Sequence, residues 1–255
     1  MANFDPGITS EYLKKYLDLD MPLLKEFKTA APGTFKHSQN VMGICETIAL
    51  EIDLDPIIMK VCALYHDIGK MFNPRVFSEN QEDENNPISD MEPKVAFQVL
   101  SRHVSDGAMI LINQTEMPRE IISIITKHHG STILRGVFVG KKKNGVDEEL
   151  FRYKSPKPDC EYSSILMIVD SVEATARAMF NAGKLNTPKD RTGVIDDTID
   201  RLSSDQQLDE MKVGILRRVK IILGRELSSI YQKRVPYTDA DGETIGDFRN
   251  KEEGK

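Results

Sequence analysis

The spacing of apolar residues constrains the fold of this chain more than any other feature. Apolar residues recur mostly three and four positions apart, as they do on one face of an α-helix, whereas runs that alternate with the period of a β-strand are short and few. One such helical stripe comprises Val41, Ile44, Cys45, Ile48, Ala49 and Ile52. The pattern predicts an all-α fold, a compact bundle of about eight to ten helices.

Proline residues divide the first half of the pattern into segments. Asp55-Pro56 has the form of an N-cap followed by proline at the first helical position, and it predicts a helix to about His66. Pro93 predicts the start of a long helix that bends at Gly107, because glycine weakens a helix interior. Pro118 predicts the start of the next helix.

The second half contains the most apolar run of the chain, residues 163–180, which predicts a buried helix. Thr187-Pro188 predicts a further helix start. Ser204 and Gln207 have the spacing of a capping box and predict the start of the last amphipathic helix.

Two segments between the helices, 72–92 and 131–159, are too long for ordinary connections. Loops of this length usually cover a binding site or are disordered, and the sequence alone allows lids as well as solvated loops without a role. The second loop is rich in basic residues that would attract an anionic ligand, although such runs are often only solvated. These residues are Arg135, Lys141, Lys142, Lys143, Arg152, Lys154 and Lys157.

Charge and hydropathy exclude several classes of partner. The chain has 34 Lys and Arg against 40 Asp and Glu, a net charge of −6, so it lacks the positive field typical of proteins that bind double-stranded nucleic acid. No apolar run reaches the roughly 18–20 residues that cross a bilayer, so no membrane segment is expected in this chain. The start lacks the pattern of a signal peptide, which predicts a cytoplasmic location. The three cysteines are expected to be reduced thiols rather than a disulfide framework.

One carboxylate stands out because of its apolar surroundings. Asp170 is the sole charged residue of the segment 165–172, and burying such a charge without a partner would cost several kcal/mol. Either a bound cation is its partner, or this aspartate caps a helix or pairs with Arg177 on a nearby turn. His66-Asp67 likewise follows an apolar run and places an imidazole beside a carboxylate at a predicted helix end.

All five histidines of the chain lie in or at the ends of predicted helices. Together with two aspartates they form a set of candidate metal ligands: His37, His66, Asp67, His103, His128, His129 and Asp170. This set exceeds the four ligands of a single tetrahedral zinc ion, and imidazole with carboxylate also suits manganese, iron and nickel. Two metals that share one carboxylate fit the number of donors better.

The order of these residues, with the string His66-Asp67-Ile68-Gly69-Lys70, resembles the HD-domain metal-dependent phosphohydrolases, in their two-metal phosphodiesterase branch. Further segments resemble the cytosolic HD domain of the seven-transmembrane-HD receptors. They are Ala31–Ser38, Glu79–Gln81, Phe151–Tyr153, Pro156–Pro158 and Asp170–Ala174. That resemblance implies an HD-domain helical bundle with a central dinuclear metal site, over residues 21–237. An N-terminal segment, 1–20, and a polar, loose tail, 238–255, would flank it.

The same resemblance implies roles for the site residues. His37, His66, Asp67 and Asp170 would hold one divalent metal, and Asp67, His103, His128 and His129 would hold the other, with iron or manganese favoured and zinc or nickel allowed. Asp67 would bridge the metals as a catalytic residue. Lys70 would bind the scissile phosphate, although one alternative is a solvent-exposed lysine. Substrate contacts would come from Lys70, Asn80, Gln81, Arg152 and Lys157.

The implied activity is hydrolysis of a cyclic dinucleotide, with cyclic di-AMP as the first candidate substrate and linear pApA as its product. A homodimer is expected as a separate prediction. Branches that act on cyclic di-GMP carry Gly-Tyr-Pro after the paired histidines, whereas here His129 precedes Gly130-Ser131-Thr132. Three-metal relatives carry a glutamate where this chain has Gly33. Ile88 and residues 136–138 depart from the receptor pattern, so the substrate stays open. The alternatives are an HD hydrolase of another nucleotide or phosphate ester, and a metal-bound sensor or partner-binding module with vestigial catalysis.

Overall fold

The computed structural model describes residues 8–81, 86–134 and 147–231. Within these ranges the chain forms ten α-helices. They are α1 (Ser10–Leu13), α2 (Pro22–Ala30), α3 (Pro32–Glu51), α4 (Pro56–Tyr65), α5 (Pro93–Ser101), α6 (His103–Gln114), α7 (Arg119–Thr126), α8 (Glu161–Asn181), α9 (Pro188–Ser204) and α10 (Val213–Ile230). No β-strand occurs in the described ranges, so the predicted all-α fold is confirmed.

Short 3₁₀ turns connect several of the helices. They are Lys14–Leu17, Ile68–Phe72, Pro74–Val76, Ser78–Asn80 and Glu148–Phe151. Three of them follow α4 in close succession, so much of the first long loop is regular structure. In the second long loop, an isolated antiparallel bridge joins Ile133 to Arg152.

Helices α3, α4 and α8 form the centre of the bundle, and α9 and α10 pack against each other and against α8. The apolar run of α8 is buried from Ile165 to Val169, as the sequence predicts. Residues before the predicted start of the HD domain also contribute to this core, since Leu13 and Tyr16 are fully buried. No helix in the described part of the chain is long and apolar enough to cross a membrane.

Helix starts follow the predicted local signals in two cases. The Asp55 carboxylate accepts hydrogen bonds from the backbone N–H groups of Ile57 and Ile58, at 2.8 and 3.3 Å, and thereby caps α4. Thr187 caps α9, with Asp190 completing a capping box.

Two predictions about helix boundaries are wrong. The helix that begins at Pro93 breaks at Arg102, whereas Gly107 lies inside α6, where its missing side chain lets Gly69 approach. Ser204 is the last residue of α9, and Gln207 lies between helices. The Gln207 amide does not form a capping box because it is hydrogen-bonded to Ser131, in the turn after the paired histidines. The last helix begins only at Val213.

Candidate metal centre

The seven predicted ligands come from five separate parts of the chain and meet at the centre of the bundle. His37 lies near the start of α3, His66 and Asp67 follow α4, and His103 begins α6. The paired histidines 128 and 129 follow α7, and Asp170 lies in the middle of α8. Six of the seven side chains are buried, and His129 is partly exposed.

The same local device places three of the histidines. His66 Nδ1 lies 2.8 Å from the Ala63 carbonyl oxygen, in the last turn of α4. Equivalent contacts join His103 Nδ1 to Leu100 O at 2.6 Å and His128 Nδ1 to Ile125 O at 2.7 Å. The last carbonyl groups of a helix have no partner within the helix, so an imidazole at the helix end satisfies one of them. The Nδ1 atom then carries the proton, and the lone pair of Nε2 is turned towards the carboxylates.

The donors form two groups that share Asp67. In each group the candidate ligand atoms lie within 4.8 Å of one another. The first group, called site A below, contains His37, His66, Asp67 and Asp170. The second, site B, contains Asp67, His103, His128 and His129.

Asp67 faces one group with each oxygen. Its Oδ2 lies 3.2 Å from His66 Nε2 and 3.7 Å from His37 Nε2, in site A. Its Oδ1 lies 3.4 Å from His103 Nε2 and 3.7 Å from His128 Nε2, in site B. This is the arrangement of a carboxylate that bridges two neighbouring ions.

Buried polar atoms without hydrogen bonds test whether a cation fits. Asp67 Oδ1 and His66 Nε2 are buried and form no hydrogen bond with the protein, although such atoms are normally paired. Nitrogen lone pairs and carboxylate oxygens that face one another repel unless a cation lies between them. The donor set therefore fits divalent first-row metals, whose ligands in proteins are imidazole and carboxylate.

The electrostatics of the centre favour charged carboxylates. Burial alone would raise the pKa of Asp67, but Lys70 and His66 outweigh it and hold the pKa well below its usual value. Burial likewise opposes ionisation of Asp170, but its hydrogen bond with His37 and the nearby His66 imidazole lower its pKa well below the usual value. Burial lowers the pKa of His128 to about 3, so this imidazole is neutral, as a metal ligand must be.

Lys70 lies next to the shared carboxylate and is largely shielded from solvent, with 12% of its side chain exposed. Its ammonium lies 2.7 Å from Asp67 Oδ2 and 2.8 Å from Glu79 Oε1. Burial alone would lower the pKa of Lys70, but the two carboxylates outweigh it and raise the pKa, so the side chain is a cation. It is not the solvent-exposed lysine of the alternative prediction.

Three residues of the centre were not predicted from the sequence as site residues. Glu79 pairs with Lys70, Phe77 packs edge-on against His103 with ring centroids 5.7 Å apart, and Tyr153 stacks on His129 at 4.4 Å. Both long loops therefore contribute to the wall of the centre. Glu79 and Tyr153 lie in segments on which the family resemblance rests, so that resemblance could have identified them as site residues.

The predicted substrate residues other than Lys70 have partners elsewhere or point outward. Asn80 binds the start of α3, where its Oδ1 accepts from Thr34 N at 3.0 Å. Gln81 donates to the Arg75 carbonyl oxygen at 3.0 Å. Arg152 is paired with Glu149, Asp205 and the Ser131 carbonyl oxygen, and Lys157 is exposed.

The other residues that the sequence analysis related to substrate specificity or anion binding lie away from the metal centre or outside the described residues. Ile88 packs against the small apolar cluster of Ala96 and Phe151. Residues 136–138, the basic residues Arg135 and Lys141–Lys143, and the tail 238–255 lie outside the described residues.

Comparison with known proteins identifies the class. The HD domain family model matches residues 34–175, which is more than half of the chain and includes all seven candidate ligands. The chain belongs to the HD domain family.

Particular relatives narrow this assignment. The chain is 32% identical to the cyclic-di-AMP phosphodiesterase PgpH of Bacillus subtilis, over 94% of this chain and 34% of that protein. It is 35% identical to PgpH of Listeria monocytogenes, over 91% of this chain and 32% of that protein. The chain thus spans about a third of the length of these curated relatives. The crystal structure of the Listeria PgpH HD domain in complex with cyclic-di-AMP superposes with a TM-score of 0.76 at 35% identity, covering 85% of this chain and all of that one.

Proposed function

We propose that this chain is a metal-dependent phosphodiesterase that hydrolyses cyclic di-AMP to the linear dinucleotide pApA. The observation that carries the proposal is the pair of donor groups that share Asp67 in a chain similar to PgpH. The relative's HD domain was crystallised with cyclic-di-AMP, which supports this substrate over cyclic di-GMP.

The proposed cofactor is a pair of divalent metals, iron or manganese before zinc or nickel. Sites A and B have four donors each, which supports one ion in each. Gly33 supports two ions rather than three. A Cβ atom at this position would lie 1.7 Å from the Glu79 carbonyl oxygen, so the glutamate of three-metal relatives does not fit here.

Two bound cations would lower the pKa of water between them and neutralise the charge that develops on phosphorus during in-line attack. The chain supplies the rest. Asp67 holds its charge between both groups of histidines, and the Nδ1 contacts of those histidines fix their orientation. Lys70 presents its ammonium beside Asp67, where it would bind an oxygen of the scissile phosphate.

The test is hydrolysis of cyclic di-AMP, with cyclic di-GMP in parallel, by the full chain reconstituted with Mn²⁺ or Fe²⁺ and resolved by ion-exchange chromatography. Asp67→Asn keeps the size of the side chain but removes its charge, and should lower the rate by more than about 100-fold. Asp209→Asn is the matched control, because Asp209 is exposed.

Metal-dependent turnover of cyclic di-AMP alone, lost in Asp67→Asn and kept in Asp209→Asn, supports the proposal. A chain that binds two metals but turns over neither dinucleotide refutes this substrate. In that case hydrolysis of bis(p-nitrophenyl) phosphate separates a hydrolase of another ester from a metal-bound sensor. The predicted homodimer and cytoplasmic location stay predictions, and light scattering of the purified chain tests the first.

A further inference from the structure

We propose that Glu173 is a positioning residue that couples site A to the carboxyl end of α10 through Tyr231. The inference rests on the proposed function, because it requires that His37 binds a metal. It adds a link between the metal centre and the last described helix.

His37 is oriented differently from the other histidines with a described Nδ1 partner. It lies within α3, where the backbone carbonyl groups are used by the helix itself. Its Nδ1 instead contacts the carboxylate of Glu173, and its Nε2 lies 3.0 Å from Asp170. A carboxylate partner fixes the ring with Nδ1 protonated and makes Nε2 a stronger ligand than a carbonyl partner would.

Glu173 is held in turn by a residue of α3, a residue of its own helix α8 and the residue that follows α10. Its side chain is fully buried, with 0% exposure. Its Oε1 accepts from Asn40 Nδ2 at 2.9 Å and from the hydroxyl of Tyr231 at 2.8 Å. Arg177 Nε lies 3.5 Å from Oε2. A buried carboxylate needs such partners, so the loss of one of them weakens the orientation of His37.

Tyr231 connects this carboxylate to α10. It follows the last turn of the helix, its backbone N–H donates to the Leu227 carbonyl oxygen at 3.0 Å, and its ring packs against Phe180. Coupling between two sites is reciprocal in free energy. A metal that draws His37 into its ligand position should therefore also order the end of α10.

The test uses Tyr231→Phe, which removes one hydroxyl and keeps the ring. Tyr162→Phe is the matched control, since Tyr162 is also buried and its hydroxyl accepts from Asp55 N at 3.0 Å, far along α8 from Glu173. Two quantities are measured on each full-length chain. They are the affinities of the two Mn²⁺ ions by chelator competition, and the amide hydrogen exchange of residues 224–230 with and without Mn²⁺.

Tyr231→Phe should weaken one of the two ions about 5-fold and leave the other unchanged. Glu173→Gln should weaken the same ion by about 10- to 100-fold. Mn²⁺ should slow exchange at the end of α10 in the parent chain and in Tyr162→Phe, but less in Tyr231→Phe. A purely structural role of Tyr231 would weaken both ions equally or neither.

Equal affinities in Tyr231→Phe and Tyr162→Phe overturn the coupling, as does exchange at the end of α10 that Mn²⁺ does not change. If the parent chain binds Mn²⁺ and hydrolyses cyclic di-AMP, these results leave the proposed function intact. A parent chain that binds no divalent metal overturns both proposals.

Discussion

Gly130 immediately follows the paired histidines, and its replacement by alanine should destabilise the chain by much more than an ordinary glycine substitution. Its φ angle is +50°, a left-handed conformation that favours glycine. A Cβ atom there would lie 2.4 Å from Gln207 Oε1, 2.8 Å from Met167 Cε and 3.2 Å from Pro158 Cδ. Gly183 provides the control, because its φ is +68° and a Cβ there would meet nothing within 4 Å.

The two variants share one cost and differ in a second. Left-handed backbone costs roughly 1–2 kcal/mol for alanine at either position. In Gly130→Ala the Gln207 side chain must also move, although its amide accepts from Ser131 N at 3.1 Å and donates to Ser131 Oγ at 3.0 Å. Disrupting these bonds of a buried amide costs roughly 1–3 kcal/mol more. We expect a loss of about 2–5 kcal/mol for Gly130→Ala and about 1–2 kcal/mol for Gly183→Ala.

Urea denaturation of the purified variants measures both losses, from the midpoints at constant slope. Combining Gly130→Ala with Gln207→Ala should cost less than the sum of the single changes. The alanine at position 130 cannot clash with a side chain that has been removed, and the hydrogen bonds of Gln207 are lost only once. Equal losses in Gly130→Ala and Gly183→Ala would show that Gln207 does not restrain the turn, and would refute the reasoning.

Three further predictions concern metals, pH and thiols. Mn²⁺ at about 100 times its dissociation constant should stabilise the chain by about 2.7 kcal/mol per ion. Each bound ion should then raise the melting temperature by roughly 5–10 °C in a thermal scan, or roughly 10–20 °C for two ions, and an unchanged melting temperature contradicts metal binding. Burial alone would raise the pKa of Glu79, but Lys70 outweighs it and lowers the pKa from 4.5 to about 2. Because the pKa of Glu79 is lower in the folded chain than in the unfolded chain, the ionised side chain stabilises the fold above about pH 4.5. This pKa difference corresponds to roughly 3 kcal/mol of unfolding free energy, which is lost as the pH falls towards 2. Parent and Glu79→Gln should therefore differ less in urea midpoint at pH 3 than at pH 5, and a constant difference contradicts the ion pair. Burial raises the pKa of the Cys45 and Cys62 thiols, so neither should react with iodoacetamide at pH 8 in the folded chain, whereas the less buried Cys160 reacts first. Mass spectrometry of peptides identifies the labelled residue.

Features set by neighbouring residues could be predicted from the sequence. Asp55 and Thr187 start helices through bonds to backbone groups two or three residues away, and the apolar run of α8 is buried as predicted. The family order of histidines and aspartates also identified the residues that meet at the centre. The ligand roles themselves stay predictions.

Long-range contacts of polar side chains could not be predicted. Gln207 and Ser131 are separated by 76 positions, and at short range Gln207 has the spacing of a capping box. Arg152 has the charge of a phosphate ligand, but its guanidinium is paired with Glu149 and Asp205. A sequence shows that such groups exist and does not show which partner each one has.

The order of the ligands along the chain has a consequence for biosynthesis. His37, His66 and Asp67 belong to site A, yet its fourth donor, Asp170, lies 133 positions after His37. At about 5–20 residues per second, the ribosome needs several seconds after Asp67 to reach Asp170. A nascent chain therefore carries three donors of an incomplete site before α8 exists to close it. An ion that requires all four donors of site A could therefore bind only once α8 has been synthesised and folded, whereas the donors of site B all precede Asp170 in the chain.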